Sequence, residues 1–414
     1  MQAASQKIFD LVFFLSTFFI VVLSGQISAE ARSSQAGIII KLRAGVDIET
    51  VVNRYKADYG TGYAIDSYKC LDKGSTCKLT ISQNGSISEL LQYLNSDIDV
   101  EKAVADCHSF ELSPLKASYS SLSARPVVFR DGKELYERQK PFSLLGFKLA
   151  HKTCRGSGAV VAIIDTGADL EHPVLRGRIS KFSHDFVDSD QNPSEVQTQE
   201  TRESIYGHGT FVAGIVALAA PSAELMVLRT FDAEGQASNF DVANAIRYAV
   251  NYGATVINLS CVSSSRDELV AEALSYAQER GVVVVVAAGN SNSETPIPFP
   301  AAEPNVLSVA ATDTSDLKTK FSNYGNHISL SAPGTGVFSV YPGGQFASWN
   351  GTSFAAPWVA ASIALLSSCQ TVSSLTATEI LKASTVDLNR RNPSYAGKLG
   401  KGRISLKLAF RRVV

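Results

Sequence analysis

The chain has 414 residues, 45% of them hydrophobic, with 38 Lys and Arg against 39 Asp and Glu. It is too long for one typical core and suits two or three domains. A net charge of −1 with no long basic block supplies no general attraction for nucleic acid or anionic membrane, so those partners are not expected.

Residues 1–31 read as an export signal. Lys7 lies in the leading segment, Leu11 to Leu23 is almost wholly apolar, and Ala29-Glu30-Ala31 has the small-x-small form of a cleavage site. The apolar run is short for a bilayer span, so a retained anchor is the weaker alternative. A secreted or periplasmic protein, free of membrane once the signal is removed, is expected.

Residues 32–112 carry a different pattern. Ile38 to Leu42 reads as a strand, Ile48 to Tyr59 as an amphipathic helix, and Cys77 to Ile81 as an alternating strand. Ile87 to Leu94 has helical spacing and Val100 to Val104 suits a final strand. With a poorly defined strand around Tyr63 to Tyr68, the order β-α-β-β-α-β is ferredoxin-like. On this pattern alone the unit could be a regulatory or binding module. Of the six cysteines, at 70, 77, 107, 154, 261 and 369, Cys70 and Cys77 flank a turn and could close a hairpin disulfide; free thiols fit equally well. Residues 113–143, with Ser-Pro, a Ser-rich run and Arg-Asp-Gly, read as a linker, the kind of segment proteases cut. Asn84-Gly85-Ser86 matches a glycosylation sequon, a match that chance also supplies.

Residues 144–414 alternate buried strands and helices. Ala159 to Ile164, Glu224 to Leu228, Thr255 to Leu259, Val282 to Val286 and Val306 to Ala310 are apolar runs; Val242 to Val250, Glu268 to Gln278 and Leu375 to Ala383 have helical spacing. Unbroken apolar strands separated by helices imply a doubly wound parallel α/β sheet, with its sites at the carboxyl ends of the strands.

Four polar residues meet that expectation together. Asp165 and Asn290 follow strand ends. His208, between Gly207 and Gly209, opens an apolar helix, and Ser353 lies in Gly351-Thr352-Ser353 just before the Ala-rich run to Leu366. Pro357 places Ser353 in the first turn of that helix. Each alone could be a cap or turn residue, but all four fall on one sheet edge. Serine needs a base to take its proton; His208 could serve, oriented by buried Asp165. Asn290 and the Ser353 N–H could donate to the oxyanion formed when a carbonyl is attacked. The order Asp, His, Ser differs from that of chymotrypsin and of the α/β-hydrolases.

Ile164-Asp165-Thr166-Gly167, Gly207-His208-Gly209-Thr210, Ala287-Ala288-Gly289-Asn290 and Gly351-Thr352-Ser353 with Ala355 to Pro357 resemble the motifs of subtilisin-like serine peptidases. The resemblance covers about Leu144 to Phe410. It implies a subtilisin-like fold, a serine endopeptidase acting through an acyl-enzyme with no cofactor required for catalysis, and a propeptide role for the small N-terminal domain as chaperone, inhibitor and substrate of self-cleavage. It also implies a substrate pocket walled by Ser260-Cys261-Val262-Ser263 and Ala287-Ala288-Gly289, with the peptide docking as an added strand. The chain is expected to be a monomer whose partners are protein or peptide substrates and its own propeptide. Phe211, Trp358 and Phe354 stand where relatives often carry His, His and Met; none belongs to the triad. Where relatives often have glycines, Val262 and Ser263 should narrow the pocket and favour small P1 residues. Structural calcium is common in the family, but Asp185, Asp188 and Asp190 lack the Asp-x-Asp-x-Asp form and read more simply as solvated loop charges. A silent binding protein on the same fold, or an esterase, are the competing readings. The complete triad weighs against the first and the absence of Gly-x-Ser-x-Gly at Ser353 against the second.

Overall fold

The computed structural model of the chain describes residues 35–59, 65–71, 74–82, 87–107, 109–112, 125–198, 205–370 and 372–413. The expected leader, the Asn84 sequon and residues 113–124 of the expected linker lie outside the described residues. The chain divides into two compact units between Cys107 and His108.

The first unit runs β1 (Gln35–Leu42), α1 (Ile48–Tyr59), β2 (Ile65–Cys70), β3 (Thr76–Ser82), α2 (Ile87–Ser96) and β4 (Val100–Ala105). Its antiparallel sheet has the order β2-β3-β1-β4, the β-α-β-β-α-β arrangement that the periodicities predict. Ile38, Ile40 and Leu42, at the two-residue period of a strand, meet Leu90 and Leu94, four apart on a helix. β2 was the indistinct strand for a physical reason. It lies at the sheet edge and exposes Asp66, Ser67 and Tyr68 in succession, so its apolar alternation is weak. Cys70 and Cys77 occupy paired positions on β2 and β3 and form a disulfide, which decides between the two readings of that pair.

The second unit opens with β5 (Phe110–Glu111), β6 (Val127–Phe129), α3 (Lys133–Glu137), α4 (Lys140–Leu145) and α5 (Phe147–Ala150). Residues 127–143 are thus folded where a linker was expected; their elements are too short to complete a detectable period. The alternating part follows: β7 (Val160–Asp165), β8 (His184–Asp185), α6 (His208–Ala219), β9 (Glu224–Arg229), β10 (Gln236–Ala237), α7 (Asn239–Asn251), β11 (Val256–Leu259), β12 (Val262–Ser263), α8 (Glu268–Glu279), β13 (Val283–Ala287), β14 (Val306–Thr312) and β15 (Leu330–Pro333). The chain continues through β16 (Val337–Tyr341), β17 (Gln345–Trp349), α9 (Ala356–Gln370), α10 (Ser374–Lys382), β18 (Thr385–Val386), β19 (Arg403–Ile404) and α11 (Leu406–Val413).

Nine strands form the central sheet in the order β18-β19-β15-β14-β13-β11-β7-β9-β8. Every pair but the terminal β18/β19 is parallel. The alternation of side chains explains the two-layer cover. Val161, Ile163, Leu225 and Val227 face one layer with Phe211 and Val212 of α6 and Val359 and Ile363 of α9. Ala162, Ile164, Met226 and Leu228 face the other with Val242 and Ile246 of α7 and Val270 and Leu274 of α8. Both faces being buried, the strands carry mostly apolar side chains, with exceptions such as Asn258 and Ser308, which is why they read as near-continuous runs. In α9, Ala356, Ala360, Ala361 and Ala364 are wholly buried, so the helix axis can approach the sheet closely. A disulfide joins Cys154, ahead of β7, to Cys369 near the end of α9.

Candidate active site

Asp165 is the last residue of β7 and is wholly buried. His208 is the first residue of α6, and its Nδ1 lies 2.8 Å from Asp165 Oδ1. An ionised carboxylate can only accept, so Nδ1 carries the proton and Nε2 is left as the acceptor. The bracketing glycines make this approach possible. Gly207 has φ of 82°, a left-handed conformation that costs other residues strain. A Cβ on Gly209 would fall 2.1 Å from the Gly167 carbonyl oxygen, so any side chain there would push α6 away from β7.

Ser353 lies in a 3-10 turn, Thr352–Phe354, ahead of α9. This corrects the placement in the helix's first turn: Phe354 N–H and Ala355 N–H close onto Gly351 and Thr352 carbonyls, a tighter winding than the α-helix that follows. Ser353 Oγ donates to the Ser260 carbonyl at 3.3 Å, and Ser260 Oγ donates back to the Ser353 carbonyl at 3.0 Å. The segment between β11 and β12 and the Ser353 turn are therefore tied reciprocally, and rotation about χ1 would free Oγ from Ser260.

Asn290 follows β13 and Gly289 and is 3% exposed. Its Oδ1 accepts from both Thr352 N–H at 2.9 Å and Thr352 Oγ1 at 2.8 Å. Two donors on the oxygen determine the amide orientation, so the Nδ2 end is the donor presented elsewhere. Thr352 went unnoticed as a functional residue in the sequence. The signal was its place between Gly351 and Ser353, where a hydroxyl can brace an adjoining side chain.

Aromatic rings back the imidazole. The His208 ring is 5.3 Å from Phe354 and 5.8 Å from Trp349, and Phe211 packs on both at 4.5 and 5.6 Å. These contacts give Phe211 and Phe354 a shared packing role. Phe354 also leaves no thioether beside Ser353; past the start residue the chain's one methionine is Met226, which is wholly buried. Hydrolytic activity should therefore persist in peroxide concentrations that rapidly inactivate an enzyme with methionine at that position. Timed assays in peroxide, with peptide mapping of Met226, test this; fast inactivation with every other residue unmodified counts against it.

Ser260, Cys261 and Val262 follow β11, and Ala287 ends β13 beside Ala288 and Gly289. All are buried, and burial pushes the Cys261 thiol well up, with the Asp165 charge adding to the effect, so it behaves as an inert apolar side chain. Beside these residues β5 lies between β10 and β12 as the middle strand of a small antiparallel sheet. Glu111 pairs with Gln236 and Val262, Phe110 with Ala237 and Ser263, and Leu112 N–H donates to the Gly235 carbonyl at 3.0 Å. Phe110 and Leu112 are buried while Glu111 between them is exposed. A two-residue strand has no periodicity to read, and sequence reasoning missed it.

Asp185 and Asp188, raised as calcium candidates, both pair with the Arg229 guanidinium. That fixed positive charge already answers the carboxylates, which do not suit a calcium ion as they stand. Asp190 Oδ1 accepts the Asn192 N–H. Among the described residues no group of three or more His, Cys, Asp or Glu side chains is placed to hold a metal ion.

Comparison with known proteins bears on the same segment. Residues 156–398 match the model of the subtilase family. The chain is 40% identical over 223 residues to thermitase of Thermoactinomyces vulgaris, spanning 51% of this chain and 76% of that protein. It is 40% identical over 222 residues to subtilisin BL of Lederbergia lenta, spanning 51% and 77%. Among solved structures, that of a lanthipeptide protease aligns with a TM-score of 0.61 at 26% identity, covering 68% of this chain and 96% of the other. A protease of Pseudoalteromonas arctica PAMC 21717 aligns at 0.59 and 26%, covering 70% and 99%.

Proposed function

The chain belongs to the subtilase family, and from that premise we propose that it is an exported serine endopeptidase, made as a precursor that cleaves itself. The observation that carries the reading is the convergence of Asp165, His208, Asn290 and Ser353 on one edge of the parallel sheet. In the reaction, Ser353 Oγ bonds to the scissile carbonyl carbon while its proton passes to His208 Nε2. Asp165 holds the imidazole in the required tautomer and offsets the positive charge it gains. The carbonyl oxygen, now negative, lies between Asn290 Nδ2 and the Ser353 N–H. Collapse breaks the C–N bond, His208 gives its proton to the departing amine, and water hydrolyses the resulting ester by the same steps. Only neutral imidazole can accept the serine proton, so the step needs His208 Nε2 unprotonated.

The β5 segment supports the precursor reading. It presents backbone to both β10 and β12, the way an extended peptide adds to a sheet edge, with alternate side chains buried. A bound substrate would take the same place, so on this reading the segment around Phe110 to Leu112 is the chain's own first ligand and residues 32–112 its propeptide. The two disulfides fit an oxidising compartment, consistent with a leader at residues 1–31.

Specificity on this reading falls to Val262. Ser263 Oγ is engaged with the Ser265 carbonyl at 2.9 Å and with Ser109 Oγ, and adjacent strand residues point to opposite faces. Cleavage of a positional peptide library should favour small P1 side chains; a profile led by Phe, Tyr or Trp at P1 would remove this assignment. The endopeptidase reading itself is tested with the purified full chain, by following casein cleavage and the mass of the chain. Failure of both casein hydrolysis and self-cleavage between residues 106 and 135 rejects it.

A further inference from the structure

A partly buried acid beside the Asp165–His208 pair is not used by this mechanism. Glu195 follows a bridge between Ala168 and Ser194, and its own N–H donates to the Ala168 carbonyl. Its carboxyl lies in the interior with two donors on each oxygen. Thr166 Oγ1 and Gly207 N–H reach Oε1 at 2.6 and 3.2 Å; Thr210 Oγ1 and Thr210 N–H reach Oε2 at 2.8 and 3.1 Å.

The direction of these bonds follows from their neighbours. Thr166 Oγ1 already accepts the Gly209 N–H at 3.0 Å, and Thr210 Oγ1 accepts the Asp169 N–H at 2.9 Å. Each hydroxyl therefore has its proton available for an acceptor, and for each the nearest is Glu195. Four donors fill the carboxylate, and a proton on either oxygen would have to displace one of them.

What the donors belong to gives the group its role. Thr166 is the residue after Asp165, while Gly207 and Thr210 flank His208. The N-cap of α6 is Gly207, which has no side chain to cap with. Glu195 supplies that missing cap from a distant loop and places negative charge at the helix start. One carboxylate thus holds the end of β7 and the start of α6, the two elements whose separation sets the bond from Asp165 to His208.

We propose that Glu195 is a positioning residue for the Asp165–His208 pair, and that its ionised form is the one that holds them in working register. The assignment rests on the peptidase reading given above. Burial pushes the Glu195 carboxyl up to about 7, the Asp165 charge adds to the rise, and the bonds from Thr166 and Thr210 oppose it. The titratable groups around it are Asp165 from β7, His208 from α6, Tyr206 ahead of α6 and Asp169 after β7; Tyr206 in turn feels both Glu195 and Asp169. The sign follows directly. Lowering pH through about 7 adds a proton to Glu195 and removes one bond from the clamp. Full activity then requires Glu195 to be ionised as well as His208 to be neutral.

The test is the pH profile of kcat/KM for a chromogenic peptide, using the parent chain, Glu195→Gln and Glu195→Asp. For the parent, log kcat/KM should show an extra drop of about 1 to 2 log units near pH 7, making that stretch of the acid limb steeper, and the drop should be missing from the Glu195→Gln profile. At alkaline pH, Glu195→Gln should lose kcat by roughly 10- to 100-fold with KM little changed, the pattern of a misplaced catalytic group. Glu195→Asp should recover part of both kcat and the steeper limb. A Glu195→Gln enzyme with parental kcat and an unchanged slope overturns the proposal.

A second measurement separates this proposal from the peptidase reading. In the Ser353→Ala chain, which needs no turnover, the NMR resonance of the proton on His208 Nδ1 should show, beside any step from the imidazole itself, a separate step near pH 7 that Glu195→Gln removes. Identical titration curves with and without Glu195 overturn it even if the chain proves to have no peptidase activity. Conversely, a Glu195-dependent step in the variant, with a parent chain that neither hydrolyses casein nor cleaves itself, would sustain the clamp and reject the peptidase.

Discussion

Ser353→Ala should lower peptide hydrolysis by roughly 10⁶-fold, the size of loss known for removing the nucleophile of subtilisin itself. It should also leave the purified chain at its uncut mass. The substitution takes away one hydroxyl, whose bond in the structure is a 3.3 Å contact to the Ser260 carbonyl. The reciprocal bond from Ser260 Oγ ends on a backbone oxygen and survives. Thermal unfolding should therefore change little, and the comparison isolates chemistry from folding. Side-by-side casein assays and intact-mass spectra of the two chains decide the matter. Residual activity within tenfold of the parent would remove Ser353 from the mechanism.

Asn290→Ala should cost roughly 10²- to 10³-fold in kcat with KM nearly constant, the range known for the oxyanion asparagine of subtilisin. The reason is that the oxyanion exists in the transition state and not in the bound substrate. This chain adds a second effect. Asn290 Oδ1 is the acceptor of Thr352 N–H and Thr352 Oγ1, so truncation leaves two buried donors beside the nucleophile without it. An unsatisfied buried donor costs about 1–3 kcal/mol, so a lower melting temperature should accompany the lower kcat. Thr352→Val keeps Asn290 but frees one side of its amide, and a smaller loss of kcat is expected. An Asn290→Ala enzyme that loses KM and keeps kcat would place the side chain in substrate binding.

The site was legible to the extent that apolar patterning bounded it. Asp165 and Asn290 could be placed because β7 and β13 are covered on both faces and end abruptly at polar residues. His208 stood out because it is the one histidine of six that glycines bracket at the start of a helix. Glu195 gave no such sign. It lies in an aperiodic loop, thirteen positions before His208 in the chain, and only the folded backbone brings Thr166 and Thr210 to it. Likewise β5 forms only because β10 and β12 leave a space between their edges, and nothing in Phe110-Glu111 distinguishes it from a loop.

The bridge between Cys154 and Cys369 spans 215 positions, and Asp165, His208, Asn290 and Ser353 all fall inside the span. These four residues therefore sit in a single covalent ring. One cut in any surface loop of that ring opens it into a linear molecule and releases no fragment, so the pieces on either side of the nick stay tethered at high effective concentration. A peptidase working among other peptidases, or among copies of itself, can be nicked once between those cysteines and still keep its parts together until the sulfur bond is reduced.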